Sequence, residues 1–205
     1  MRIAALHRDG HSDYSCVCYW VLGENNTAAD RNTLIDTGGT DPGNLDFFLE
    51  EMATRSKGIG KRAVEQVILT HGHFDHTGGL PGLDRLFHPD TYAWVPAGAS
   101  PKPARDGMPV LVGDQSAVLI HTPGHSDDSI CIFLPASGTL FSGDTLYRIS
   151  DHLGAYPRAY ARSLERLAGL GVRTIYPGHG APIRTGAAAF IQDCLGHVRQ
   201  SCLQE

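Results

Sequence analysis

Residues 70–79 read Thr70-His71-Gly72-His73-Phe74-Asp75-His76-Thr77-Gly78-Gly79, and they follow directly on the apolar run Val64 to Thr70. Three histidines and an aspartate within six residues form a dense set of metal-ligand side chains. His71 and His73 are i, i+2, so in an extended segment their imidazoles point to one side and can share a cation. Asp75 and His76 follow where the chain must turn toward Gly78 and Gly79, which lets them point at a second cation. Imidazole suits zinc or iron, and the aspartate adds a hard oxygen and negative charge.

Three later segments repeat the pattern. His121 to His125 (HTPGH) follows the strand Ala117 to Ile120. Ser142 to Thr145 (SGDT) follows Thr139 to Phe141, and Tyr176 to Gly180 (YPGHG) follows Val172 to Ile175. Each places a metal-competent residue in a glycine-containing turn just past an apolar strand. Ligands on loops at strand ends converge on one rim of a rigid scaffold.

Thr70 to His76 matches the HxHxDH pattern, and the chain resembles the metallo-β-lactamase superfamily, in particular its glyoxalase II, acyl-thioesterase and lactonase branches. The resemblance runs from the LIDTG turn at Leu34 to Gly180. It implies an α/β fold, a four-layer αββα sandwich, with two metal ions at one edge. By that resemblance His71, His73 and His125 hold the first metal, Asp75, His76 and His179 the second, and Asp144 bridges both. Two zinc ions per chain are expected, with iron, manganese or a mixed pair as alternatives. Asp36 resembles an aspartate that steadies the site from behind; a simple turn role is the other reading. Asp144 offers an oxygen where β-lactam hydrolases commonly carry cysteine or histidine, which argues against antibiotic hydrolysis. Tyr147, three residues on, resembles a lactonase tyrosine whose hydroxyl faces the substrate carbonyl; packing is its alternative role. Glyoxalase II enzymes usually add a helical domain after the last histidine. Here 26 residues follow His179, so a glutathione-binding extension is not expected.

The implied chemistry is cleavage of a thioester, lactone or related ester by a metal-bridged hydroxide, with Asp75, Asp144 and Tyr147 as the catalytic side chains. The same scaffold admits a mononuclear iron persulfide dioxygenase using His71, His125 and Asp144. It also admits a metal-dependent phosphodiesterase and, least readily, a non-catalytic metal-binding module. His7, His11, His88, His121, His152 and His197 fit no motif position and read as non-ligands, with His121 a supporting group at most.

The 205-residue length fits a single domain, residues 1–205, able to bury its own core. Seventeen basic against 22 acidic residues give a net charge of −5, which lacks the basic signature of a nucleic-acid binder. A small-molecule ester or thioester is therefore the expected partner, with no nucleic acid and no membrane, in a monomer or homodimer. The first 13 residues hold no apolar stretch of signal-peptide length, and no run approaches the ~18 apolar residues of a span, so a cytoplasmic location is expected. The five cysteines match no finger or ribbon spacing and read as free thiols, with Cys16 and Cys18 on one strand face.

Further strands are expected at Cys16 to Leu22, Thr33 to Asp36, Thr91 to Val95 and Ser129 to Leu134. Helices are expected over Asn44 to Arg55, over the Tyr160, Leu164, Leu167, Leu170 stripe, and over Thr185 to Val198 with Thr185 as N-cap. Pro96 to Pro109 and Arg148 to Arg158 read as loops that border the pocket.

Overall fold

The computed structural model describes residues 1–7, 15–55, 61–94, 101–147, 149 and 154–204. Its elements run β1 (Arg2–Leu6), β2 (Cys18–Leu22), β3 (Thr33–Ile35), α1 (Pro42–Arg55), β4 (Gln66–Ile68), α2 (Phe74–Thr77), α3 (Leu80–Phe87), β5 (Asp90–Ala93) and β6 (Lys102–Pro103). Then come β7 (Pro109–Val112), β8 (Gln115–His121), β9 (Ile130–Leu134), β10 (Thr139–Gly143), β11 (Ala155–Pro157), α4 (Arg158–Ala168), β12 (Thr174–Pro177), α5 (Ala187–Gln200) and β13 (Cys202–Gln204). They form two compact units, Met1–Ala104 with Val110–Ser116, and Arg105–Pro109 with Ala117–Glu205.

In the first unit β1 to β6 lie side by side in chain order. The β1–β2 and β2–β3 pairs are antiparallel, and β3 through β6 are parallel. Every residue of β2, β3 and β4 is buried. Strands covered on both faces read as continuous apolar runs, and for that reason CYWVL was legible as strand. Trp20, wholly buried in β2, donates its indole N–H to the Ala63 carbonyl at 2.8 Å. Phe48 and Met52 of α1 and Leu83 of α3 pack onto this core with Leu34 and Val67.

In the second unit β8, β9 and β10 are antiparallel neighbours and β12 adds in parallel to β10. All of β9 (ICIFL) and β10 (TLFSG) is buried. On α4, Tyr160, Ala161, Leu164 and Leu167 are buried while Arg158, Arg162 and Arg166 face solvent, the division a 3.6-residue period produces. Those apolar residues join Ile191, Leu195 and Val198 of α5 in one core. β11 and β13 make a separate parallel pair.

Several expected boundaries shift. Thr185 does not cap the last helix: α5 starts at Ala187 with Gly186 as N-cap, in the left-handed region at φ 72°. Glycine enters that region without the Cβ penalty, so it outcompetes the threonine side chain here. Residues 101–109 are not one featureless loop, since Lys102–Pro103 pairs with β5. Residues 96–100, 148 and 150–153, within the two predicted pocket loops, and residue 95, the last of the predicted strand Thr91 to Val95, lie outside the described residues. Among the described residues no helix is long and apolar enough to cross a membrane.

Candidate metal centre

The first unit supplies His71, His73, Asp75 and His76. After β4 the chain bends at Thr70 and Gly72, is extended at His73 (φ −66°, ψ 147°), then turns into the four-residue helix α2. The break changes direction between the two histidines and the Asp75–His76 pair. His71 Nε2 and His73 Nδ1 converge to 2.9 Å. His76 Nε2 lies 3.6 Å from Asp75 Oδ2. Donors on one tetrahedral cation with bonds near ~2.1 Å lie roughly 3.4 Å apart, so the His76–Asp75 separation fits a shared cation and the His71–His73 pair is drawn closer than that.

Behind these side chains is a buried polar network centred on Asp36. Its Oδ2 accepts from His76 Nδ1 at 2.8 Å and from Thr70 Oγ1 at 2.8 Å, and its Oδ1 accepts the Thr70 N–H at 2.7 Å. Because the Thr70 hydroxyl spends its proton on Asp36, its lone pair faces His71 Nδ1, 3.1 Å away. Both His71 and His76 thus hold a proton on Nδ1 and turn Nε2 outward, the tautomer a ligand needs. Asp36 itself has φ +59°, a conformation that aspartate tolerates better than bulkier residues do. Thr37 fastens the same turn to the ligand helix: its N–H and hydroxyl both donate to the His76 carbonyl, at 2.8 and 2.9 Å. Gly79 closes the motif where a Cβ would lie 2.2 Å from the Thr37 carbonyl oxygen, so no side chain fits.

The second unit supplies His125, Asp144 and His179, each just past a strand. Asp144 is buried at the end of β10, and its Oδ2 lies 3.7 Å from His125 Nε2 and 3.5 Å from His179 Nε2. These distances are long for hydrogen bonds and match donor separations across a cation. A carboxylate between two imidazoles fits a divalent metal by donor chemistry as well as by spacing. Gly178 N–H donates to the Gly143 carbonyl at 2.9 Å, which ties the His179 loop to the Asp144 turn. The Tyr147 ring lies 4.7 Å from that of His179, and its N–H closes the Asp144 turn at 2.9 Å.

Other sequence candidates fall elsewhere. His121 donates its N–H to Asp106 and sets Nε2 2.8 Å from the Asp127 carbonyl, which braces the loop leading to His125. His88 ends α3 at φ 44°, and His197 lies 3.4 Å from the Ile149 carbonyl. His11 and His152 are outside the described residues. Cys16 and Cys18 are buried free thiols 3.8 Å apart, on one face as expected. Burial pushes Cys16 well above the ordinary thiol range, and it lies in one group with Asp36 and His76. The sequence reading missed the bridging role of Thr70; its position immediately before His71 was the available signal.

The sequence pattern of the Metallo-beta-lactamase superfamily matches residues 12–104 and 88–179. The chain belongs to this superfamily. It is 32% identical over 190 residues to an atrochrysone carboxyl ACP thioesterase of Aspergillus fumigatus, a match covering 86% of this chain and 43% of that protein. A lactamase-like protein, nscB of Neosartorya fischeri, is 37% identical over 128 residues, 59% of this chain and 38% of its own length. The chain thus spans less than half the length of these curated relatives. Among solved structures, a metallo-β-lactamase family protein from Thermus thermophilus superposes with TM-score 0.73 at 21% identity, covering 96% of this chain and 79% of its own. ETHE1 from Myxococcus xanthus gives 0.67 at 26% identity, covering 88% and 76%. The metallo-β-lactamase fold expected from the sequence is thereby established.

Proposed function

We propose that this protein is a binuclear metal-dependent hydrolase of thioesters or comparably activated esters. His71, His73, Asp75, His76, His125, Asp144 and His179 serve as one ligand set for two ions, zinc by donor preference. The observation that carries this reading is Asp144 Oδ2, flanked at 3.7 and 3.5 Å by two imidazole Nε2 atoms. Metals held by these donors supply Lewis acidity and a water of lowered pKa. The thioesterase among the relatives supports the carbonyl substrate class.

The chain's own groups then have distinct tasks. Asp36 and Thr70 hold the two histidine tautomers, and they keep doing so while charge moves in the site. Tyr147, half-buried with its ring tilted against that of His179, donates its hydroxyl hydrogen to the carbonyl oxygen of the substrate. That bond strengthens as the oxygen becomes an anion, so it lowers the barrier more than it aids binding.

Assay against a panel of acyl thioesters, lactones and phosphodiesters tests the reading, with Tyr147→Phe beside the parent. The parent is expected to turn over thioesters, and Tyr147→Phe to lose about 10²-fold in kcat with little change in KM and parental metal content. Parental kcat in Tyr147→Phe would leave the tyrosine a packing role. A parent that cleaves only phosphodiesters would defeat the carbonyl-hydrolase reading.

A further inference from the structure

We propose that Tyr160, which belongs to none of the ligand motifs, is the positioning residue of the second unit's ligands. Its ring backs the His125 loop and its hydroxyl clamps the Asp144 turn. This rests on the metal-centre reading given above.

Tyr160 is 3% exposed, on the inner face of α4. Its hydroxyl donates to the Thr145 carbonyl at 2.5 Å, one residue past Asp144. The same ring lies flush against Gly124, one residue before His125: a Cβ there would meet its Cδ2 at 2.0 Å and its Cγ at 2.2 Å. One turn further along α4, Ser163 Oγ donates to the Pro123 carbonyl at 2.8 Å. Thr122 and Thr145 join the two loops directly, their hydroxyl oxygens 3.0 Å apart. A single helix therefore touches both ligand loops through one side chain. Leu164 and Leu167, both fully buried, fix that helix in the core. Burial raises the phenol's pKa far above its ordinary value, so it stays a neutral donor at working pH.

Removing the hydroxyl leaves the Asp144 turn without this tether, while the phenyl ring still fills the space beside Gly124. Partners that orient metal ligands typically contribute 10–100-fold to metal affinity. The test titrates the metal-free 205-residue chain with Zn²⁺ against a chelating indicator, and records the Tm of the metal-free form. Tyr160→Phe is expected to bind one of two zinc equivalents about 10–100-fold more weakly. Tyr156→Phe is the control: its ring meets that of Tyr160 edge-on at 5.6 Å, and its loss of a hydroxyl is expected to leave both affinities at the parental value. Should Tyr160→Phe fail to fold, Gly124→Ala addresses the other contact, that of the ring with the His125 loop, and a weakening of the same size is expected. Parental zinc affinity in the folded variant, whatever its Tm, would overturn the positioning role and leave Tyr160 a core residue. A parent chain that takes up no zinc would overturn the metal-centre reading itself, a failure told apart by appearing before any substitution.

Discussion

Asp144→Ala is expected to lose hydrolysis by about 10³-fold or more and to retain no more than one metal equivalent. The carboxylate is the shared donor of the proposed set, and no other oxygen donor is described beside His125 and His179 among the second unit's ligands. Deleting it removes the one donor that both ions would share, and with it the negative charge that would offset the repulsion between two cations. The fold itself should persist. Asp144 directly follows β10, all of whose residues are buried, Leu140 and Phe141 wholly so. Removing a buried charge from the metal-free protein also removes its desolvation cost. Steady-state kinetics with elemental analysis and a far-ultraviolet circular dichroism spectrum check all three points. Parental turnover in Asp144→Ala would remove the bridging role.

Asp36→Ala is the substitution expected to cost most in stability. It strips acceptors from three buried donors at once: His76 Nδ1, the Thr70 hydroxyl and the Thr70 N–H. Each unsatisfied buried donor costs about 1–3 kcal/mol, and breaking a buried charged network costs about 3–5 kcal/mol. For a chain of this size that corresponds to a fall in Tm of roughly 6–20 °C. The measurement uses metal-free protein, so that lost metal stabilisation is not counted with it. Alanine also loses the side-chain tolerance of aspartate for φ +59°. Asp36→Asn, which keeps one acceptor oxygen, is expected to fall between parent and alanine. An unchanged metal-free Tm in Asp36→Ala would reduce Asp36 to the simple turn residue that its place in LIDTG also allowed.

The ligand loops and the strands that feed them were readable because the sequence is locally unambiguous there. CYWVL, ICIFL and TLFSG are apolar runs buried on both faces, and turn residues bound them. What escaped was short or tertiary in origin. β1 (RIAAL) mixes exposed and buried positions over five residues and is held at the edge by pairing with β2. α3 (LPGLDRLF) carries Pro81 and Gly82, which weaken a helical pattern, yet proline suits a first helical turn and Leu83 buries the helix against the core. Tyr160 read as one apolar residue in a helical stripe. Nothing in that periodicity tells that its hydroxyl meets the Thr145 carbonyl 15 residues earlier. Thr70 is similar: its type was visible, but its place between Asp36 and His71 depends on a strand pairing that brings residue 36 to residue 70. Long-range polar contacts of this kind leave no local periodicity to read.

The central claim is that seven side chains hold two metal ions for hydrolysis of a carbonyl ester. The most direct test is elemental analysis of the 205-residue chain purified without chelator, followed by chelation and re-addition with acyl-thioester hydrolysis read at each step. The account predicts close to two equivalents of zinc per chain, with activity lost on chelation and restored as the second equivalent returns. A single tightly held iron with oxygen consumption on a persulfide, or thioester hydrolysis that survives complete metal removal, would contradict it.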